Sequence, residues 1–186
     1  MDCFKKLCNI FNTGVKNDVK NDVKNGVKND VKMEKELEDI KWEDTVPFTF
    51  PITGGKVIKV YDADTITIAT KLPFKDSPMY RLSVRLNGID APEIKGTGVF
   101  SDEKEAAILA RDVVANMVLN KYVILKNINT EKYGRVLADV YIDDINLNDY
   151  LITHRYAFKY YGGTKVKPNS WLKYREIGDE LVIDDI

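Results

Sequence analysis

Three carboxylates and two arginines stand at spacings that suit metal-assisted cleavage of a phosphate ester. Asp64 lies in the run Asp62-Ala63-Asp64-Thr65, Arg85 precedes Asp90-Ala91-Pro92-Glu93, and Arg135 ends Lys132-Tyr133-Gly134-Arg135. Two carboxylates can hold a hard divalent cation through oxygen. A third can position or deprotonate water, and two guanidiniums can clamp a phosphate in bidentate fashion. No other stretch of the chain offers comparable chemistry. Each residue alone has a plainer reading. Asp favours turns, Arg85 shares a strand face with Arg81 and Ser83, and Arg135 follows a glycine at a strand start. Their joint occurrence gives the chemical reading its weight.

Length and composition narrow the classes. The chain has 186 residues, which suits one domain plus tails. Its net charge of −1 gives no bulk basic footprint for coating nucleic acid, but allows a local cationic clamp. The single histidine, His154, excludes His-ligated metal sites and Ser-His-Asp triads. The two cysteines, Cys3 and Cys8, leave the body without a disulfide scaffold or a Cys-based zinc site. No apolar run reaches the ~18 residues of a membrane span, and the first residues lack the apolar core of a secretory signal. An intracellular, cytoplasmic monomer is expected. Phe4, Leu7, Phe11 and two lysines surround Cys3 and Cys8, so S-acylation would give membrane contact. An unmodified start is the simpler expectation.

The elements that must position these residues follow from periodicity. Val-Lys-Asn-Asp/Gly repeats from Val15 to Asp30 read as low complexity, so residues 1–45 are expected to be a disordered tail, 46–167 the folded domain, and 168–186 a short helix around Trp171–Arg175 with an acidic end. Residues 56–61, 65–70 and 80–86 alternate or are β-branched-rich, as strands do. Ala106, Leu109, Ala110, Val113, Val114, Met117 and Val118 recur at helical spacing, after Ser101 or Asp102 as N-cap. Two further strands are expected at 122–128 and 136–142, and a helix at 148–156 with Leu147 and Leu151 inward. The order, three strands, helix, two strands, helix, is that of an α+β, mainly β, five-stranded Greek-key barrel of the OB type.

In order, Asp-x-Asp-Thr at 62–65, Arg-x-x-x-x-Asp-x-Pro-Glu at 85–93 and Lys-Tyr-Gly-Arg at 132–135 resemble the staphylococcal nuclease (thermonuclease) family, over roughly Lys56 to Tyr161. The resemblance implies an OB-fold carrying a calcium (Ca2+) site. It implies Asp64, Asp90 and the main-chain carbonyl of Ala91 as metal ligands, with Asp62 an acid near the metal. It implies Glu93 as the residue that orients or activates water, and Arg85 and Arg135 as the groups that hold the phosphate. Lys132, Tyr133 and Tyr161 resemble residues that contact the bound nucleotide. The implied activity is hydrolysis of DNA or RNA, single strands preferred, leaving 3′-phosphate and 5′-hydroxyl ends, with no small-molecule cofactor. A catalytically inactive OB module binding single strands is the alternative. Ala63 departs from the family, which commonly has glycine there; a positive φ at Ala63 would strain the turn.

Overall fold

The computed structural model describes residues 37–96, 101–163 and 168–177. The Val-Lys-Asn-Asp repeat, Cys3, Cys8, the segment Thr97-Gly98 and the acidic end all lie outside them. The chain divides into two units between Pro47 and Phe48. In the first, Trp42–Asp44 form a single 3₁₀ turn, where the Lys41 N–H donates to an Asp44 carboxylate oxygen (3.0 Å).

In the second unit, strands β1 (Gly54–Asp62), β2 (Thr65–Thr70) and β3 (Tyr80–Leu86) form an antiparallel meander. A two-residue strand β4 (Ile89–Asp90) leads to helix α1 (Ser101–Val118). Strands β5 (Tyr122–Thr130) and β6 (Val136–Ile142) follow, then β7 (Ile145–Asn146), α2 (Leu147–Thr153), β8 (Phe158–Lys159) and α3 (Trp171–Ile177). β5 pairs with β1 on one side and β6 on the other. A parallel pairing of β3 with β6, Val84 opposite Val136 and Arg85 opposite Leu137, closes the five strands into a barrel. The expected OB-type architecture is the observed one. β4, β7 and β8 are additions to it, and β4 pairs with β8.

Inward residues fill the barrel: Val57, Ile66, Ile68, Val84, Leu86, Val123, Val136 and Val140 are fully buried or nearly so. They fall at alternate positions, as period-2 strands require. Two register shifts in β1, between Val57 and Lys59 and between Val60 and Asp62, mark bulges, which bend and coil a strand and let β1 serve two neighbours. Helix α1 closes the barrel with Ala110, Val114 and Val118, a stripe at i, i+4 spacing, while Ala106 packs with Trp171 and Tyr174 of α3. Leu109, expected inward, is exposed because it lies off this stripe. Ser101 and Asp102, expected as the N-cap, both lie within α1.

Asn148, 4 % exposed, ties α2 to the barrel. Its Oδ1 accepts from Val140 N (3.0 Å) and its Nδ2 donates to Asn87 O (2.8 Å). Asn146 caps α2, accepting from the Asn148 and Asp149 N–H groups. Asn148→Leu orphans the buried Val140 N–H and the partly buried Asn87 carbonyl beside the turn between β3 and β4. A loss of about 3 kcal/mol is expected, read as a lower urea midpoint at unchanged slope.

Candidate active site

The site forms where three connections meet at one end of the barrel. The β1–β2 turn carries Asp62 and Asp64, and Leu86 N donates to Asp64 O (2.9 Å), which joins that turn to the end of β3. Ala63 is buried and is not among the residues with positive φ, so an alanine fits this turn without strain. β3 ends on Arg85 and Leu86, and β4 follows with Asp90. The β3–β6 pairing sets the start of β6, and Arg135 before it, beside Arg85. Residues far apart in sequence therefore share one cavity of ≈ 450 Å³, whose walls include Asp62, Asp64, Arg85, Glu93, Lys132 and Arg135.

Arg85 is the hub. Its Nη1 donates to Asp64 Oδ2 (2.7 Å) and its Nη2 to Asp90 Oδ1 (3.0 Å) and Ile89 O (3.3 Å). Its side chain is only 16 % exposed, so the Arg81–Ser83–Arg85 face is not uniformly solvated. Thr65 Oγ1 donates to Asp64 Oδ1 (2.9 Å) and fixes the carboxylate plane. Asp90 is 1 % exposed and lies beneath Arg85 rather than on the cavity wall.

Arg135 makes a bidentate pair with Glu131, Nε to Oε2 (2.6 Å) and Nη2 to Oε1 (2.7 Å), and among the described residues its Nη1 has no partner. This hydrogen bonding holds the Glu131 carboxyl below its usual range and raises Arg135 further. Glu93 lines the cavity after Pro92, and its N–H donates to Oε1 of the buried Glu103 in the first turn of α1 (3.3 Å). Ala91 and Pro92 also line it. Tyr133 is exposed, with Lys132 Nζ 4.8 Å from its ring centroid.

Tyr161 is not part of this cavity. It is 83 % exposed and lies against Gly88, lining an adjacent cavity. Gly88 has φ +72°, and a Cβ there would sit 3.0 Å from the Tyr161 ring; only glycine suits both demands. Tyr160 lines both cavities. Glu131 and Glu103 are further residues that sequence reasoning missed. Glu131 stands four residues before Arg135, an acid–base spacing that could have flagged it. Nothing in the sequence singles out Glu103 as a tether for Glu93.

The Asp62 carboxyl is held above its ordinary range. Burial, then repulsion from Asp64 and Glu93, pushes its carboxyl up to about 6 from 3.8. Its Oδ1 is buried with no hydrogen-bond partner among the described residues. A raised carboxyl binds its proton more tightly in the folded state, so its stabilising contribution is fullest at low pH and is lost as pH rises through about 6. Asp62→Asn is therefore expected to stabilise the cation-free protein at neutral pH by about 1 kcal/mol, allowing for solvent screening. That gain should vanish near about pH 4. Thermal melts in chelator at the two pH values check this.

The donor chemistry fits a hard divalent cation. One guanidinium already bridges two carboxylates, so positive charge is what this seat accepts, and the buried Asp62 Oδ1 adds an unsatisfied acceptor. All donors are oxygen, as calcium and magnesium require. Among the described residues no group of three or more His, Cys, Asp and Glu side chains could hold a metal ion, so main-chain and water oxygens would have to supply the rest of the shell.

The barrel thus gathers the bridged acids and both arginines around one cleft. Comparison with known proteins gives the class. Residues 83–177 match the family model described as "Staphylococcal nuclease homologue". An uncharacterized endonuclease of Escherichia coli is 30% identical over 118 residues, covering 61% of this chain and 67% of that protein. An uncharacterized protein of Methanocaldococcus jannaschii is 30% identical over 135 residues, covering 61% and 62%. Protein ParB of Escherichia coli is 32% identical over 90 residues, covering 48% and 42%. The chain belongs to the staphylococcal nuclease homologue family, which puts it in the nuclease class of hydrolases.

Proposed function

We propose that the protein is a calcium-dependent nuclease that hydrolyses DNA or RNA, acts preferentially on single strands, and leaves 3′-phosphate and 5′-hydroxyl ends. One observation carries the reading: Arg85 bridges Asp64 and Asp90 at the floor of the cavity whose walls hold Glu93 and Arg135. Asp64, Asp90 and the Ala91 carbonyl would hold the cation, which when bound supplies positive charge against a phosphate oxygen.

The remaining work falls to the side chains. Glu93, on the cavity wall, orients a water towards phosphorus and takes or shares its proton. Arg85 on β3 and Arg135 just before β6 stabilise the charge that builds on the phosphoryl oxygens. Water oxygen bonds to phosphorus, the P–O5′ bond breaks, and the 5′-oxygen leaves as a hydroxyl by taking up a proton from solvent. Lys132 and Tyr133 border the cleft and would contact the neighbouring nucleotide. A clamp that surrounds one phosphate needs an accessible backbone, which favours single strands over duplex.

The test is product analysis. Single-stranded DNA and RNA are digested in calcium, and the new 5′ ends are offered directly to polynucleotide kinase. Efficient labelling without prior phosphatase treatment supports the assignment, while 5′-phosphate ends refute the bond cleaved. A gel shift with no product at any calcium level would turn the reading to a binding module.

A further inference from the structure

Two cavities flank the central one, and their chemistry differs. The first shares Arg85, Glu131, Lys132 and Tyr160 with it and extends towards Tyr161. The second, of ≈ 340 Å³, shares Tyr61, Asp62 and Lys95 with it and adds Lys59, Ile94 and Arg111. Among the described residues the flanking cavities have no lining residue in common, so the central cleft lies between them.

The second cavity gathers cations from three separate elements: Lys59 from β1, Lys95 from the segment after Glu93, and Arg111 from α1. Lys59 and Lys95 are exposed, and Lys59 Nζ stands 5.6 Å from the centroid of the exposed Tyr61 ring. Arg111 donates through Nε and Nη2 to its neighbour Asp112 (2.9 and 2.6 Å), and among the described residues its Nη1 has no partner. Among the described residues Asp62 is the only acid lining the groove. On a chain of net charge −1, three cations beside one exposed aromatic ring make a local site for a polyanion with π faces. Single-stranded nucleic acid has that chemistry, with phosphates for the cations and bases that stack on aromatics.

We infer that the groove formed by Lys59, Tyr61, Lys95 and Arg111 is a second nucleic-acid subsite, which carries the strand away from the cleaved linkage on the side opposite Tyr161. It rests on the nuclease reading of the central cleft and deepens it. The substrate is a polynucleotide held on both sides of the scissile bond, and the cut is internal.

Two substrates separate the claims: a thymidine dinucleotide, which occupies only the central cleft, and a thymidine strand of about twenty nucleotides, longer than one OB-fold site. Lys59→Glu is expected to raise KM for the long strand about tenfold, the equivalent of one charge-assisted hydrogen bond. Turnover of the dinucleotide should not change. The salt dependence of long-strand kcat/KM should become shallower by about 0.7 for each phosphate no longer neutralised. Arg111→Gln, on a different element, should repeat the effect on the long strand. Equal effects on both substrates, or a long-strand KM within twofold of the parent, overturn the groove. Should the parent cut neither substrate, the nuclease reading falls, and the groove is judged on fluorescence-polarisation binding of the long strand alone: a tenfold weakening in Lys59→Glu upholds it, and equal affinity ends it.

Discussion

Glu93→Gln is expected to lower kcat by a factor of about 10²–10⁴, with KM changed no more than a few fold. Gln keeps the shape and hydrogen-bonding reach of Glu but carries no charge. The loop that presents residue 93 should keep its place, since the tether to Glu103 runs through the residue 93 main-chain N–H and not its side chain. The substitution removes the carboxylate proposed to face the attacking water. The size of the effect discriminates between two roles. A residue that merely holds water through a hydrogen bond leaves Gln partly competent, near the lower end. A proton acceptor cannot be replaced by an amide, and the loss lies near the upper end. Steady-state turnover of a single-stranded substrate in saturating calcium measures this. A variant within threefold of the parent would remove Glu93 from the chemistry.

Arg135→Ala should cost about 10²–10³ in kcat, the loss seen when one preorganised donor to a developing oxyanion is deleted. The bidentate pair with Glu131 explains why so much rests on one side chain. It fixes the guanidinium plane before substrate arrives and leaves an N–H edge facing the cavity. Stability should change by less than about 1 kcal/mol, because the Glu131–Arg135 pair is partly solvated and its carboxylate can rehydrate. Arg135→Lys is expected to remain defective, since a point charge on a flexible stem reproduces neither the plane nor the paired donors. Melting temperature alongside kcat separates catalytic loss from misfolding. Unchanged turnover in Arg135→Ala would exclude the residue from the site.

Much of the barrel is legible in the sequence because its five long strands alternate and α1 keeps helical spacing. The short strands β4, β7 and β8 escape notice because two residues carry no period. The parallel closure of β3 on β6 is a long-range pairing that local pattern cannot express, yet it sets Arg85 beside the strand that Arg135 precedes. The site is legible only as a set of motifs. Alternation puts Arg81, Ser83 and Arg85 on one face and cannot say that Arg85 alone turns inward to bridge Asp64 and Asp90. Nor can it say that Asp90 sits beneath the cavity wall, or that Tyr160 and not Tyr161 borders the central cleft. Those placements depend on the β4–β8 pairing, beside which Tyr160 N donates to Gly88 O (2.9 Å). Ala63 illustrates the reverse case, a residue that departs from the family's usual glycine and that the observed turn accommodates without positive φ.

Calcium titration of single-strand hydrolysis tests the central claim most directly. Purified protein is incubated with single-stranded DNA and RNA over a range of calcium concentrations, with excess chelator as the zero point. The account predicts saturable cutting that chelator abolishes and restored calcium returns. Intact polynucleotide at every calcium level, or cutting that proceeds undiminished in chelator, would contradict it.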